Sequence, residues 1–184
     1  MASENNFPTW KRLHDLKEGE SKLMLIRKNN QFIVRVGGLH YEGEIIVFGE
    51  KDYEPVAFCD MPSIGLMNSI EIVKPELDVW VLFAGEMDSP HDIRFKHGAW
   101  DGEKAIVVGA SWKPLFWMDF PLLPNGLDEF YSELSKAGEA LADDYDIVQE
   151  TGYACWLGYF LDGMSGSTAF EEDMSYAANL LELI

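Results

Sequence analysis

The sequence predicts an α+β domain in which an antiparallel sheet is covered on one face by helices, and three observations carry that expectation. Short apolar runs rich in β-branched residues fill the first two thirds of the chain, joined by connections too short for a crossover helix. Turn pairs, Asn29 with Asn30 and Asp101 with Gly102, sit between such runs and mark tight hairpins. The last third changes to helical spacing.

In chain order, residues 1–6 form a loose tail and residues 7–16 a short helix, since Pro8 and Thr9 precede Trp10, Leu13 and Leu16 at intervals of three. SKLMLIRK and QFIVRV form a hairpin around Asn29 and Asn30, GEIIVFGE a third strand and PVAFCDM a fourth. MPSIGLMNSIEIV suits either a short helix or a loop into a strand, and VWVLFAGE is a buried strand. IRFKHGAW and KAIVVGASW flank the Asp-Gly turn. Residues 113–124, aromatic and broken by prolines, form a connection leading to Asn125 as an N-cap. No internal repeat or linker is expected, and the 184 residues suit a single domain spanning 1–184.

Residues 127–146 hold the longest regular pattern. At 100° per residue Leu127, Phe130, Tyr131, Leu134, Ala137, Leu141 and Tyr145 share one side, with Asp128, Glu129, Glu133, Glu139, Asp143 and Asp144 on the other. Asp143, Asp144 and Asp146 oppose the helix macrodipole if the helix continues that far, so it either stops near Leu141 or keeps the cluster for a partner or cation. YACWLGYFLDG is apolar almost throughout and predicts a central strand or buried helix. Thr168 with Glu171 predicts a capping box for a last helix.

Charge is the strongest functional signal. The chain carries 32 acidic against 14 basic residues, a net charge of −18. Residues 1–100 hold 16 acids and 11 bases, and residues 101–184 hold 16 and 3. Such a field disfavours nucleic acid and anionic membranes and attracts basic surfaces. No apolar run is long enough for a membrane helix and no secretory signal opens the chain, so a cytoplasmic protein is expected. Cys59 and Cys155 fit no metal or redox spacing and are expected as buried, reduced thiols.

Residues 162–166, Asp-Gly-Met-Ser-Gly, resemble the nucleophile turn of chymotrypsin-like proteases, and His40 with Asp78 or Asp88 would complete the order His, Asp, Ser. That family continues as a strand after the serine, whereas a capped helix follows here, so a turn into an N-cap is the expectation. Anion binding at this turn is opposed by Glu171, Glu172 and Asp173. Asp88, His91, Asp92 and His97 span a loop and a strand and lack metal-site spacing. Asp143, Asp144 and Asp146 lack the glycine and distal glutamate of a calcium loop, and no cofactor is expected.

The functional expectation is therefore a protein-binding inhibitor, of immunity or anti-defence type, with nucleic-acid mimicry as one form it could take. It would occlude a basic partner such as a toxin, nuclease or other nucleic-acid-binding protein. Asp128, Glu129, Glu133, Glu139, Asp143, Asp144 and Asp146 would steer the partner, and Trp112 and Trp117 would anchor it. In class, such a chain resembles toxin immunity proteins and viral DNA-mimic inhibitors. Two alternatives stand beside it: a structural or assembly subunit, and a hydrolase using Ser165 or paired carboxylates such as Asp128 and Glu129 or Asp143 and Asp144.

Overall fold

A computed structural model describes residues 9–86, 93–107, 112–140 and 146–181. The strand-rich part forms two five-stranded antiparallel sheets rather than one. The first comprises β1 (Lys11–Arg12), β2 (Lys22–Lys28), β3 (Gln31–Leu39), β4 (Ile45–Val47) and β5 (Glu54–Cys59), in the order β1-β5-β2-β3-β4. The second comprises β6 (Asn68–Ser69), β7 (Trp80–Glu86), β8 (Ile93–Trp100), β9 (Ala105–Val107) and β10 (Lys113–Met118), in the order β6-β10-β7-β8-β9. Helices α1 (Leu127–Glu139), α2 (Ile147–Thr151), α3 (Tyr153–Leu161) and α4 (Gly166–Leu181) follow, so the α+β class holds.

The second sheet repeats the first, which corrects the expectation of no internal repeat. Each order places a short first strand beside the fifth, then a long hairpin, then a short edge strand. Registers agree residue by residue: Leu23, Met24 and Leu25 face Cys59, Phe58 and Ala57, while Leu82, Phe83 and Ala84 face Met118, Trp117 and Phe116. Both ladders then shift register by one residue, beside Pro55 and beside Pro114. Proline lacks the N–H a regular rung needs, so it fits such a bulge. Gly37 opposite Val47 corresponds to Gly98 opposite Val107. A Cβ would stand 2.5 Å from the Ile46 carbonyl oxygen at the first glycine and 2.3 Å from that of Ile106 at the second, so both positions require glycine. Even the parallel bridges correspond, Glu18 with Leu39 and Leu77 with Trp100.

Each sheet is apolar on both faces. Asn29 and Asn30 adopt φ of 50° and 60°, turning β2 into β3 with Lys28 opposite Gln31. That register points Leu23, Leu25, Val34 and Val36 inward and Met24 and Ile26 outward, where Leu16, Val47 and Phe58 cover them. On the second sheet Val81, Phe83, Trp100 and Trp117 form the outward cluster with Ile70. The inward faces of both sheets join Leu127, Phe130, Tyr131, Leu134, Ile147, Val148, Trp156, Leu157 and Ala169 of the helices in the main core.

Several expectations are corrected. In place of the N-terminal helix, Lys11 and Arg12 pair with Phe58 and Ala57 as an edge strand, and residues 13–15 make one 3₁₀ turn. A helix of about ten residues is marginal in water, and here the open edge of β5 offers backbone partners. Residues 113–118, expected as part of a connection, form β10, which pairs with both β6 and β7. The ambiguous segment holds a 3₁₀ turn at residues 64–66 and β6, and the buried YACWLGYFL run is helix α3. Gly126, at φ 81°, rather than Asn125 precedes α1, and no side chain caps it. The expected tail lies outside the described residues.

Candidate functional site

Electrostatic asymmetry in sequence becomes asymmetry between layers. Residues 127–184, which contain all four helices, carry 13 acids and a single base, Lys136. The other 13 bases precede α1. The apolar stripe of α1 buries Leu127, Phe130, Tyr131, Leu134 and Gly138, and leaves Asp128, Glu129 and Glu139 exposed. Exposed Glu150, Asp162, Glu171 and Glu172 extend the acidic surface over the other helices.

The acids expected to act together divide by role. Asp128 is exposed, with one oxygen 3.8 Å from the Arg27 guanidinium. Glu133 is half-buried and accepts the Gly166 N–H at 3.0 Å, tying α1 to the start of α4. Asp146 caps α2, accepting the N–H groups of Val148 and Gln149 and the Ser135 hydroxyl. Each of these two carboxylates commits one oxygen to free helix N–H groups. Asp143 and Asp144 lie outside the described residues. Replacing Asp146 by alanine should cost about 1 kcal/mol of stability, read by urea unfolding, and leave association with a basic partner unchanged.

The aromatic anchors are also placed. Trp117 is buried and donates its indole N–H to the Val73 carbonyl at 2.7 Å, so it belongs to the core of the second sheet. Trp112 is half-buried beside Phe83, and its buried Nε1 has no hydrogen-bond partner among the described residues. Trp117 therefore offers no free face to a partner, whereas Trp112 keeps part of its surface exposed. Ser165 accepts the Thr168 N–H at 3.2 Å and bonds the Ser167 and Thr168 hydroxyls, so Ser165, rather than the expected Thr168 of a capping box with Glu171, caps α4, which begins at Gly166. Its hydrogen bonds among the described residues engage no histidine. Among the described residues no group of three or more His, Cys, Asp or Glu is arranged to hold a metal ion.

Comparison of the chain with protein-family models, curated proteins and solved structures gives no match in any of the three.

Two features escaped sequence reasoning. The first is a cleft of about 580 Å³ where the two sheets meet, lined among the described residues by Ile46, Phe48, Lys51, Phe95, Lys96 and His97, among others. The second is the joint behind it. His97 of β8 is 3% exposed, and its Nδ1 accepts the Val36 N–H of β3 at 3.2 Å. The Phe48 backbone lies close enough to the same imidazole to favour its charged form. Phe48 also donates its N–H to the Val36 carbonyl, so the ring sits where the second rung of that pair would form. Burial, then the nearby Arg35 charge, pushes the His97 pKa down to about 4, against the pull of Glu50 and the Phe48 backbone.

Glu50 completes this region, with Lys28 on one oxygen and Arg35 on the other at 2.7 Å. Burial pushes its carboxyl up, but hydrogen bonds from Lys28 and Arg35 outweigh that and hold it below its ordinary value. Both cysteines are free. Cys59 is buried, with its thiol pushed up to about 12 by burial, whereas Cys155 is exposed, correcting the expectation that both are buried.

Proposed function

We propose that the protein is an acidic binding protein of inhibitor or immunity type, cytoplasmic, whose helical layer covers a basic surface on a nucleic-acid-handling protein. The observation that carries this reading is the segregation of charge: 13 acids and one lysine in the helical third. High negative charge kept for solubility alone would be spread over the whole surface. Here the exposed acids follow the outward faces of packed helices, which hold them at fixed spacing. A partner's cationic surface would be drawn in by the long-range field and then held by close pairs at Asp128, Glu129, Glu139, Glu171 and Glu172. Glu133 and Asp146 hold the helix ends of this layer in place.

The alternatives draw less support. An assembly subunit using the 112–120 aromatic segment would need it exposed, and Trp117 is buried while Phe116 is half-buried. A hydrolase built on Ser165 would need that hydroxyl free of its capping bonds.

The test compares the wild type with a variant carrying Asp128→Lys, Glu129→Lys, Glu139→Lys and Glu171→Lys, each used to capture proteins from lysate at low and high salt. One basic, nucleic-acid-handling protein should bind the wild type, leave it as salt rises, and bind the variant at least about tenfold more weakly. Equal capture by both would sink the proposal.

A further inference from the structure

The two sheets meet through corresponding positions, since Val36 of β3 and His97 of β8 occupy equivalent places in the repeat and touch each other. Each side of this joint should then have a counterpart on the other. One side is filled. Trp80, the first residue of β7, lies with its ring centre 4.9 Å from the Arg35 guanidinium carbon and 5.6 Å from the His97 ring. Its cross-strand row continues through Ala99 to Ile106.

The same row in the first sheet runs from the residue before Lys22, through Gly38, to Ile46. That residue is Ser21, and the counterpart of Arg35, opposite Phe83 as Arg35 is opposite Met24, is Lys96. Where one side has an indole stacked on a guanidinium, the other has a serine, a lysine and the cleft of about 580 Å³. Ser21, Ile46 and Lys96 all line it.

We propose that this cleft binds a small planar aromatic anion, which takes the position that Trp80 holds on the opposite side of the joint. Phe48, Phe95, Ile46 and Val47 supply apolar walls suited to a flat ring. Lys51 and Lys96 supply the charge preference. Among the described residues neither has a carboxylate within ion-pair distance, and the Lys96 ammonium group lies 5.8 Å from the centre of the Trp112 ring. Glu50, the acid on the wall, is already neutralised by Lys28 and Arg35. The chain as a whole carries a net charge of −18. The small size of the ligand follows from the same number. A large acidic partner would be repelled by the whole molecule, whereas a small anion seated within about 8 Å of the lysines is governed by the local field.

The probe is indole-3-acetate, with neutral indole-3-acetamide as its control, titrated into the full-length protein and followed by two-dimensional amide NMR and calorimetry. Indole-3-acetate should bind saturably with shifts centred on residues 46–51 and 94–97, and about tenfold more tightly than the amide. Ser21→Trp should fill the cleft from within and abolish binding. The double variant Lys51→Gln, Lys96→Gln changes only side chains at the cleft wall and should reduce indole-3-acetate binding to the level of the amide. Absence of saturable shifts would overturn the proposal, as would equal affinity for amide and acid, or undiminished binding by both variants.

Discussion

Replacing Gly166 by alanine should destabilise the protein by about 3 kcal/mol, at the upper end of overpacking costs, and lower its melting temperature by roughly 10 °C. Gly166 opens α4 where that helix lies on the middle of α1, and a Cβ there would stand 2.1 Å from the Phe130 carbonyl oxygen and 2.7 Å from the Leu134 nitrogen. Both contacts are backbone atoms inside a hydrogen-bonded helix, so they cannot swing aside as a side-chain terminus could. The Gly166 N–H is also the group that Glu133 accepts, and a shifted α4 would forfeit that bond. Intrinsic propensity pulls the other way, favouring alanine over glycine by about 1 kcal/mol in a helix. A net loss would therefore isolate the steric term. Thermal unfolding followed by circular dichroism decides the matter, with exposed Ser167→Ala as a neighbour expected to change stability by less than about 0.5 kcal/mol. Comparable stability of the two variants would mean that the α1–α4 crossing is looser than this geometry. Because the two helices carry much of the exposed acid, the same variant should also weaken partner capture without altering charge.

Local patterns explain why the strands and α1 were legible while the architecture was not. Alternation and the Asn29–Asn30 turn specify β2 and β3 with their register, because a slip of one residue would turn Leu23 and Leu25 away from the core. The 3.6-residue stripe likewise marks the buried side of α1. Division into two sheets depends on which strands pair across long separations, such as β1 with β5, and periodicity carries no such information. A trace of the repeat does exist, in the Glu-Pro of 54–55 beside the Lys-Pro of 113–114, and in IIVFG at 45–49 beside AIVVG at 105–109. These matches are short, and their offset drifts by a residue between 54–113 and 45–105, so few identities support any one period. At the candidate face, charge counting located the acidic layer. It could not separate exposed Glu129 and Glu139 from Glu133 and Asp146, because a capping carboxylate and a free one have the same composition and differ only in the N–H groups they meet.

Acidification should expose the role of the His97 joint. An unfolded histidine titrates near 6.5, whereas folded His97 does so at about 4. Between those values the unfolded chain takes up a proton that the folded chain refuses, so stability is full above pH 6.5 and is lost as pH falls toward 4. The complete loss is roughly 3 kcal/mol, of which about 2 kcal/mol is gone by pH 5. That upper range separates the histidine from Glu50, whose pKa is held low by Lys28 and Arg35, and from Asp60, which Lys11 and Lys22 hold at about 2. The physical cause is specific to the neutral ring. Nδ1 can accept the Val36 N–H only while unprotonated, and a second positive charge would arise beside Arg35. His97→Leu would keep the packing but orphan the Val36 N–H, costing about 2 kcal/mol at neutral pH, while its stability should hardly change between pH 7 and 5 relative to wild type. His97→Gln, which can both donate and accept, should recover part of the neutral-pH loss and none of the pH dependence. The decisive quantity is the wild-type minus His97→Leu difference in unfolding free energy across that range: a difference that shrinks by about 2 kcal/mol supports a neutral imidazole joining the sheets, and a flat one would show that the joint is held by packing alone.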